Sequence, residues 1–73
     1  MRNYRYLLKD QFDANIIADD LRLQLAIYRF ENTSVTSIPN RNEVIVQIPD
    51  ANGTAEEAVE SFMANYHTTK MLE

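Results

Sequence analysis

The chain has 73 residues, 45% of them hydrophobic and 25% charged, which is the composition of a single small globular domain spanning residues 1–73. The formal net charge of −4 weighs against nonspecific binding to nucleic acid, because phosphates attract basic surfaces. The absence of cysteine excludes disulfides and thiolate metal sites, and with no signal peptide or apolar run long enough for a membrane span we expect a cytoplasmic protein.

The first predicted element is a strand over residues 4–9. Its side chains alternate in character along the chain, as they do on a strand with one buried face. One face carries Tyr4, Tyr6 and Leu8, and the other carries Arg5, Leu7 and Lys9. We expect the tyrosine face to lie in the core.

A helix is predicted next, from Ala14 to about residue 30 or 31, with Asp13 as its N-cap. Residues 21–28 also alternate between apolar and other side chains, which is the period of a strand. We favour the helix because Ile27 is the only β-branched residue in that alternation. In addition, no turn signal separates Asp20 from the residues that follow.

This helix has two apolar stripes when its residues are placed 100° apart. One stripe contains Ile16, Leu23, Ile27 and Phe30, and the other contains Ile17, Ala18, Leu21, Leu25 and Tyr28. A surface helix needs only one apolar face. The second stripe therefore predicts that the helix is covered on two sides or leaves apolar surface for a partner.

The second half of the chain reads as a hairpin followed by a helix. Short strands are predicted over residues 35–38 and 43–48, with a turn at 39–42 between them. Thr54 with Glu57 three residues later forms a capping box at the start of the second helix. The helix is expected to continue past Tyr66, and residues 72–73 are treated as a cloning scar outside the fold.

These elements predict an α+β fold in the order β-α-β-β-α. A right-handed crossover gives a three-stranded antiparallel sheet of order 1-3-2, with both helices packed on one face. This arrangement resembles the split β-α-β topology of ferredoxin-like domains without its last strand. The likeness is one of topology and implies no activity.

No motif assembles a catalytic or metal site. His67, the single histidine, is expected near the end of the second helix, without a nucleophile or an orienting carboxylate. The segment 50–53 lacks the ligand set of a calcium loop and is interpreted as a turn before a helix. Four acidic residues are interpreted as a cap and a solvated helix face: Asp10, Asp13, Asp19 and Asp20. We therefore predict no enzyme, no cofactor and no metal.

The function predicted from the sequence is noncatalytic protein–protein interaction by a small regulator, adaptor or inhibitor that forms a homodimer. The expected interface lies on the uncovered sheet face, with Leu7 and Ile45 as an apolar centre and a polar rim of Arg5, Lys9, Glu43 and Gln47. An acidic face could steer a basic partner: Asp19, Asp20, Glu56, Glu57 and Glu60. The alternative is a nucleic-acid-binding module that uses the same sheet face.

Overall fold

The computed structural model of the chain describes residues 2–49 and 53–72. Across these residues it has two α-helices and four β-strands, with a short 3₁₀ turn at Pro39–Arg41. In chain order the elements are β1 (Arg2–Leu8), α1 (Ala14–Ile27), β2 (Ser34–Ile38), β3 (Glu43–Ile48), α2 (Gly53–Met63) and β4 (His67–Leu72).

The strands form one antiparallel sheet in the order β2-β3-β1-β4. The predicted three-stranded sheet of order 1-3-2 is therefore wrong, because a fourth strand pairs with the free edge of β1. The element order becomes β-α-β-β-α-β, so the split β-α-β arrangement has the closing strand that the sequence interpretation left out.

The fourth strand occupies residues that were expected to be helix or cloning scar. α2 ends at Met63, and His67 is the first residue of β4, not a helical residue. Thr68 and Thr69 are β-branched and suit an extended backbone. Leu72, set aside as part of a scar, pairs directly with Tyr4 of β1. The free backbone groups along the edge of β1 find their partners in this segment.

The first helix begins where the sequence predicts. The Asp13 carboxylate accepts hydrogen bonds from the backbone N–H groups of Asn15 and Ile16, at 2.8 and 3.2 Å. These bonds satisfy two of the amides that a helix leaves free at its N-terminus. The helix then continues to Ile27 with Tyr28 as its C-cap, which confirms the prediction that residues 21–28 are helical and not extended.

A Schellman motif ends α1 at residue 28, earlier than predicted. The backbone N–H of Phe30 bonds to the carbonyl of Leu25, and the N–H of Arg29 bonds to the carbonyl of Ala26, both at 3.1 Å. Arg29 takes the left-handed backbone conformation, with φ of 59°, that glycine usually supplies at this position. The turn carries Phe30 back against the end of the helix.

The core lies between the two helices and one face of the sheet. Its sheet side is formed by Tyr4, Tyr6, Leu8, Val35, Val44, Val46 and Ile48. Its helix side is formed by Ala14, Ile17, Ala18, Leu21, Leu25, Ala55, Val59 and Met63. In one apolar stripe of α1, Ile17, Ala18, Leu21 and Leu25 are buried and Tyr28 is exposed. In the other, Ile16, Leu23 and Ile27 are exposed and Phe30 packs against the core.

The start of α2 differs from the predicted capping box. The helix begins at Gly53, so Thr54 lies inside the first turn and is not the N-cap. Residues 50–52, where the calcium-loop comparison falls, lie outside the described residues. In the described part of the chain, neither helix has the length and apolar content needed to cross a membrane.

Candidate functional site

We call the face of the sheet opposite the helices the open face. On it, two rows of side chains each run across all four strands. One row, in sheet order from β2 to β4, is Thr36, Ile45, Arg5 and Met71. The next row is Ile38, Glu43, Leu7 and Thr69. Leu7 and Ile45 lie on the open face, as the strand alternation predicts. The register adds Ile38 and Met71 to them, which makes an apolar group of four.

Arg5 and Glu43 lie at the centre of the open face and not on a rim. They belong to the two inner strands, and the Arg5 Nη1 atom is 3.5 Å from the Glu43 Oε1 atom. Glu43 is only 7% exposed because neighbouring strands crowd it from both sides. The centre of the open face is therefore an ion pair with no net charge, flanked by apolar side chains.

The other two predicted interface residues lie farther from this centre. Gln47 is on the open face, in a polar row with Asn3 and Ser34. Lys9 follows the last residue of β1 and stands outside the strand register, and its backbone carbonyl accepts a hydrogen bond from the Asn42 amide at 3.2 Å. The structure thus brings Arg5, Leu7, Glu43, Ile45 and Gln47 together and leaves Lys9 at the edge.

The tyrosines of β1 are buried beneath α2, so they are not on the open face. The Tyr4 hydroxyl donates to Glu56 Oε1 at 2.5 Å, and the Tyr6 hydroxyl donates to Glu60 Oε1 at 3.2 Å. Within residues 2–49 and 53–72, neither of the two cross-strand rows contains an aromatic side chain. The alternative function, which uses the open face to bind nucleic acid, therefore lacks a platform on which bases could stack.

Three of the five carboxylates of the predicted acidic face are paired with other side chains of the same molecule. Glu56 also pairs with Arg2 at 3.6 Å, and Glu60 pairs with Lys70 of β4. The Asp19 carboxylate pairs with Arg22 at 2.6 Å. Among the five carboxylates of that face, Asp20 and Glu57 are left as exposed side chains without a hydrogen bond or ion pair inside the described part of the chain. The sequence could not separate these two groups, because the partners of Glu56 and Glu60 come from β1 and β4.

Tyr4, Tyr6 and Lys70 contact α2 from the strands, and we call this region of contact between α2 and strands β1 and β4 the seam. The single histidine of the sequence, His67, also lies there. Burial raises the pKa of the Tyr6 hydroxyl far above its ordinary value, and nearby Tyr4 and Glu56 add to the shift. The His67 ring makes an edge contact with Tyr6, with ring centroids 5.1 Å apart, and its Nδ1 atom is 2.6 Å from the Met63 carbonyl. His67 thus contacts the last residue of α2, whose carbonyl also accepts a hydrogen bond from the Tyr66 backbone N–H, although His67 itself belongs to β4. These contacts hold β4, β1 and α2 together.

A groove of about 450 Å³ separates the C-terminal half of α1 from α2 on the outer surface of the molecule. We call it the helix groove. Its lining residues are Gln24, Tyr28, Phe30, Thr54, Glu57, Ala58, Ser61 and Phe62. Phe30 and Phe62 also pack against the core, whereas Tyr28 is exposed. The second apolar stripe of α1 was the one signal that pointed to this surface.

That second stripe remains in solvent beside the helix groove. Ile16 and Leu23 are each 61% exposed, and Ile27 is 63% exposed. We call these three residues the outer stripe. No neighbouring element within the described residues covers it. The outer stripe is the most exposed group of aliphatic side chains on the helices.

The described side chains bring together no group of three or more His, Asp or Glu residues that could hold a metal ion. Comparisons of the chain with protein-family models, with curated proteins and with solved structures found no match.

Proposed function

We propose that the chain is a noncatalytic protein–protein interaction module, and that two copies associate through their open faces. The observation that supports the proposal is the composition of that face. Four apolar side chains surround a charge-neutral Arg5–Glu43 pair. Two copies can therefore approach without bringing an unpaired charge into the contact. A cytoplasmic location remains a prediction from the sequence.

The expected homodimer is weak because part of the apolar area is already covered. Leu7 is 36% exposed and Met71 is 42% exposed. Complete burial of such a side chain stabilises by roughly 1.5–3 kcal/mol, so about 1 kcal/mol remains to be gained from each. Eight such side chains from two copies gain about 8 kcal/mol, and association costs at least about 4 kcal/mol. About 4 kcal/mol is left, which corresponds to a dissociation constant of about 1 mM.

Light scattering over a concentration series tests this proposal. The wild-type chain should pass from monomer to dimer at concentrations of about 1 mM. Leu7→Lys and Ile45→Lys, alone and combined, should remain monomeric because each places a charge in the apolar contact. Gln11→Lys is the matched control, since it adds the same charge on an exposed loop residue. A wild-type chain that stays monomeric at 2 mM, roughly twice the expected dissociation constant, would remove the homodimer.

A further inference from the structure

The helices present a second surface that the open-face homodimer does not use. The helix groove has aromatic walls from both helices: Tyr28 and Phe30 on the α1 side, and Phe62 on the α2 side. The Tyr28 and Phe30 rings lie 5.8 Å apart, centroid to centroid. Ala58 lines the groove between these walls with a small side chain. The result is an apolar channel shaped to receive protruding side chains.

The outer stripe extends this channel along α1. Ile27 lies three positions after Gln24, so on the helix surface it borders the lining of the groove, and Leu23 lies one turn before Ile27 in the same stripe. The three side chains of the outer stripe, each more than 60% exposed, form an apolar area that reaches the edge of the groove at Ile27. Areas of this kind on small proteins mark binding sites more often than scattered single residues do.

The helices and the strands carry net charges of opposite sign. The two helices carry five carboxylates against one arginine, which is a net charge of −4. The four strands carry Arg2, Arg5 and Lys70 against Glu43, which is a net charge of +2 with histidine neutral. Two of the carboxylates remain exposed at the apolar area, with Glu57 in the groove lining and Asp20 on α1 near Ile16 and Leu23.

This charge disfavours a second copy of the chain as the occupant. Two helix surfaces placed together would bring the exposed carboxylates of Asp20 and Glu57 against the same groups of the second copy, and like charges across an interface oppose association. A basic partner gains from the same field. The partner is better suited as a helix than as an extended peptide. The lining consists of side chains on two helices, whose backbone groups are already bonded, whereas a helical partner satisfies its own backbone.

We propose that the helix groove and the outer stripe bind a basic amphipathic helix of another protein. α2 has 11 residues and is about 16 Å long, so the bound helix needs three to four turns. Its apolar side chains, spaced at i, i+4 and i+7, enter the channel between Tyr28 and Phe62. Its lysine or arginine side chains lie beside Glu57 and Asp20.

A displayed peptide library provides the test. Each member is a 14-residue helix with leucine or isoleucine at i, i+4, i+7 and i+11, and with Lys, Glu, Gln or Ala chosen at random elsewhere. Selection on the wild-type chain should enrich sequences of positive net charge. Enrichment of neutral or acidic sequences, or no enrichment, overturns the proposal.

Matched variants then locate the binding site of the enriched peptides. Ala58→Leu fills the channel without changing charge and should weaken binding at least about 10-fold, the effect of one misplaced large side chain. Glu57→Lys should weaken it about 3- to 10-fold, as expected for reversing an exposed charge at a contact. Asp10→Lys changes the net charge equally but lies on the loop before α1, so it should have little effect.

The remaining outcomes are equally decisive. Equal losses for Glu57→Lys and Asp10→Lys would show attraction to net charge alone and would overturn the site. Leu7→Lys disrupts the open face and should leave peptide binding unchanged. If Leu7→Lys abolishes peptide binding, the peptide occupies the sheet and the helix groove is not its site. Failure of the open-face dimer in light scattering would leave this result unaffected.

Discussion

The open face of the sheet and the outer surface of the helices are both uncovered, but they differ in charge and in how far their apolar side chains project into solvent. On the open face the apolar side chains lie nearly level with their neighbours, and the most exposed, Met71, is 42% exposed. On the helices, Ile16, Leu23 and Ile27 stand more than 60% exposed beside a groove. The open face has a neutral centre, whereas the helices carry five carboxylates against one arginine.

This difference divides α1 into a side that packs in the fold and a side that does not. The buried stripe of α1, with Leu21 at its centre, is enough to pack the helix against the sheet. The outer stripe contributes nothing to that packing, yet it interrupts the polar face that a monomeric surface helix normally has. The exposure of these apolar side chains is the observation on which the proposed helix-binding surface rests.

The largest expected effect separates the two stripes of α1. Leu21 is fully buried and Leu23 is exposed, and both are leucines on the same helix. Leu21→Ala should lower the free energy of unfolding by roughly 2–5 kcal/mol because it leaves a cavity. Leu23→Ala should change it by no more than about 0.5 kcal/mol. Urea unfolding of the two variants checks this, and similar losses would mean that the outer stripe belongs to the fold.

A smaller, pH-dependent effect tests whether the seam beneath α2 is structural. The raised pKa of Tyr6 means that the folded chain keeps a proton that the unfolded chain loses above pH about 10. Stability is therefore complete below pH about 10 and falls as the pH rises, at up to about 1.4 kcal/mol per pH unit. Tyr6→Phe should remove this slope, while the lost hydrogen bond to Glu60 costs about 1 kcal/mol at neutral pH.

Urea midpoints of wild type and Tyr6→Phe, measured between pH 9 and about 11.5, give both quantities. Tyr28, which is exposed on the helix surface, supplies the control through Tyr28→Phe. That variant should keep the wild-type slope. If the unfolding free energy of Tyr6→Phe still falls with pH as steeply as that of the wild type, the proton responsible is not on Tyr6. The contacts beneath α2 would then not account for the loss of stability at high pH.

Strong local patterns made much of the fold predictable. The alternation in β1 identified the tyrosine face as core, and the Asp13 cap located the start of α1. The fourth strand was missed because its pattern is weak and depends on distant pairing. Residues 67–72 include two threonines, one lysine and few apolar side chains, and only the free edge of β1 gives them an extended partner.

The candidate surfaces were predictable only in part, for a related reason. Alternation alone indicated that Leu7 and Ile45 share a face. Met71 could not be added without knowing that β4 exists, and for the same reason Arg5 was predicted at a rim although it lies at the centre. The two stripes of α1 were visible in the sequence. Which stripe is buried follows from packing between α1, β2 and β3, and not from helical spacing.

The central claim is that the two exposed surfaces have different occupants. Backbone amide chemical shifts of the wild-type chain, recorded from about 20 µM to 2 mM, test it most directly because they report each surface separately. The account predicts concentration-dependent shifts at Leu7, Ile45 and Met71 and constant shifts at Leu23 and Tyr28. Shifts confined to Leu23 and Tyr28 would contradict it, because they would show that the copies associate through their helices.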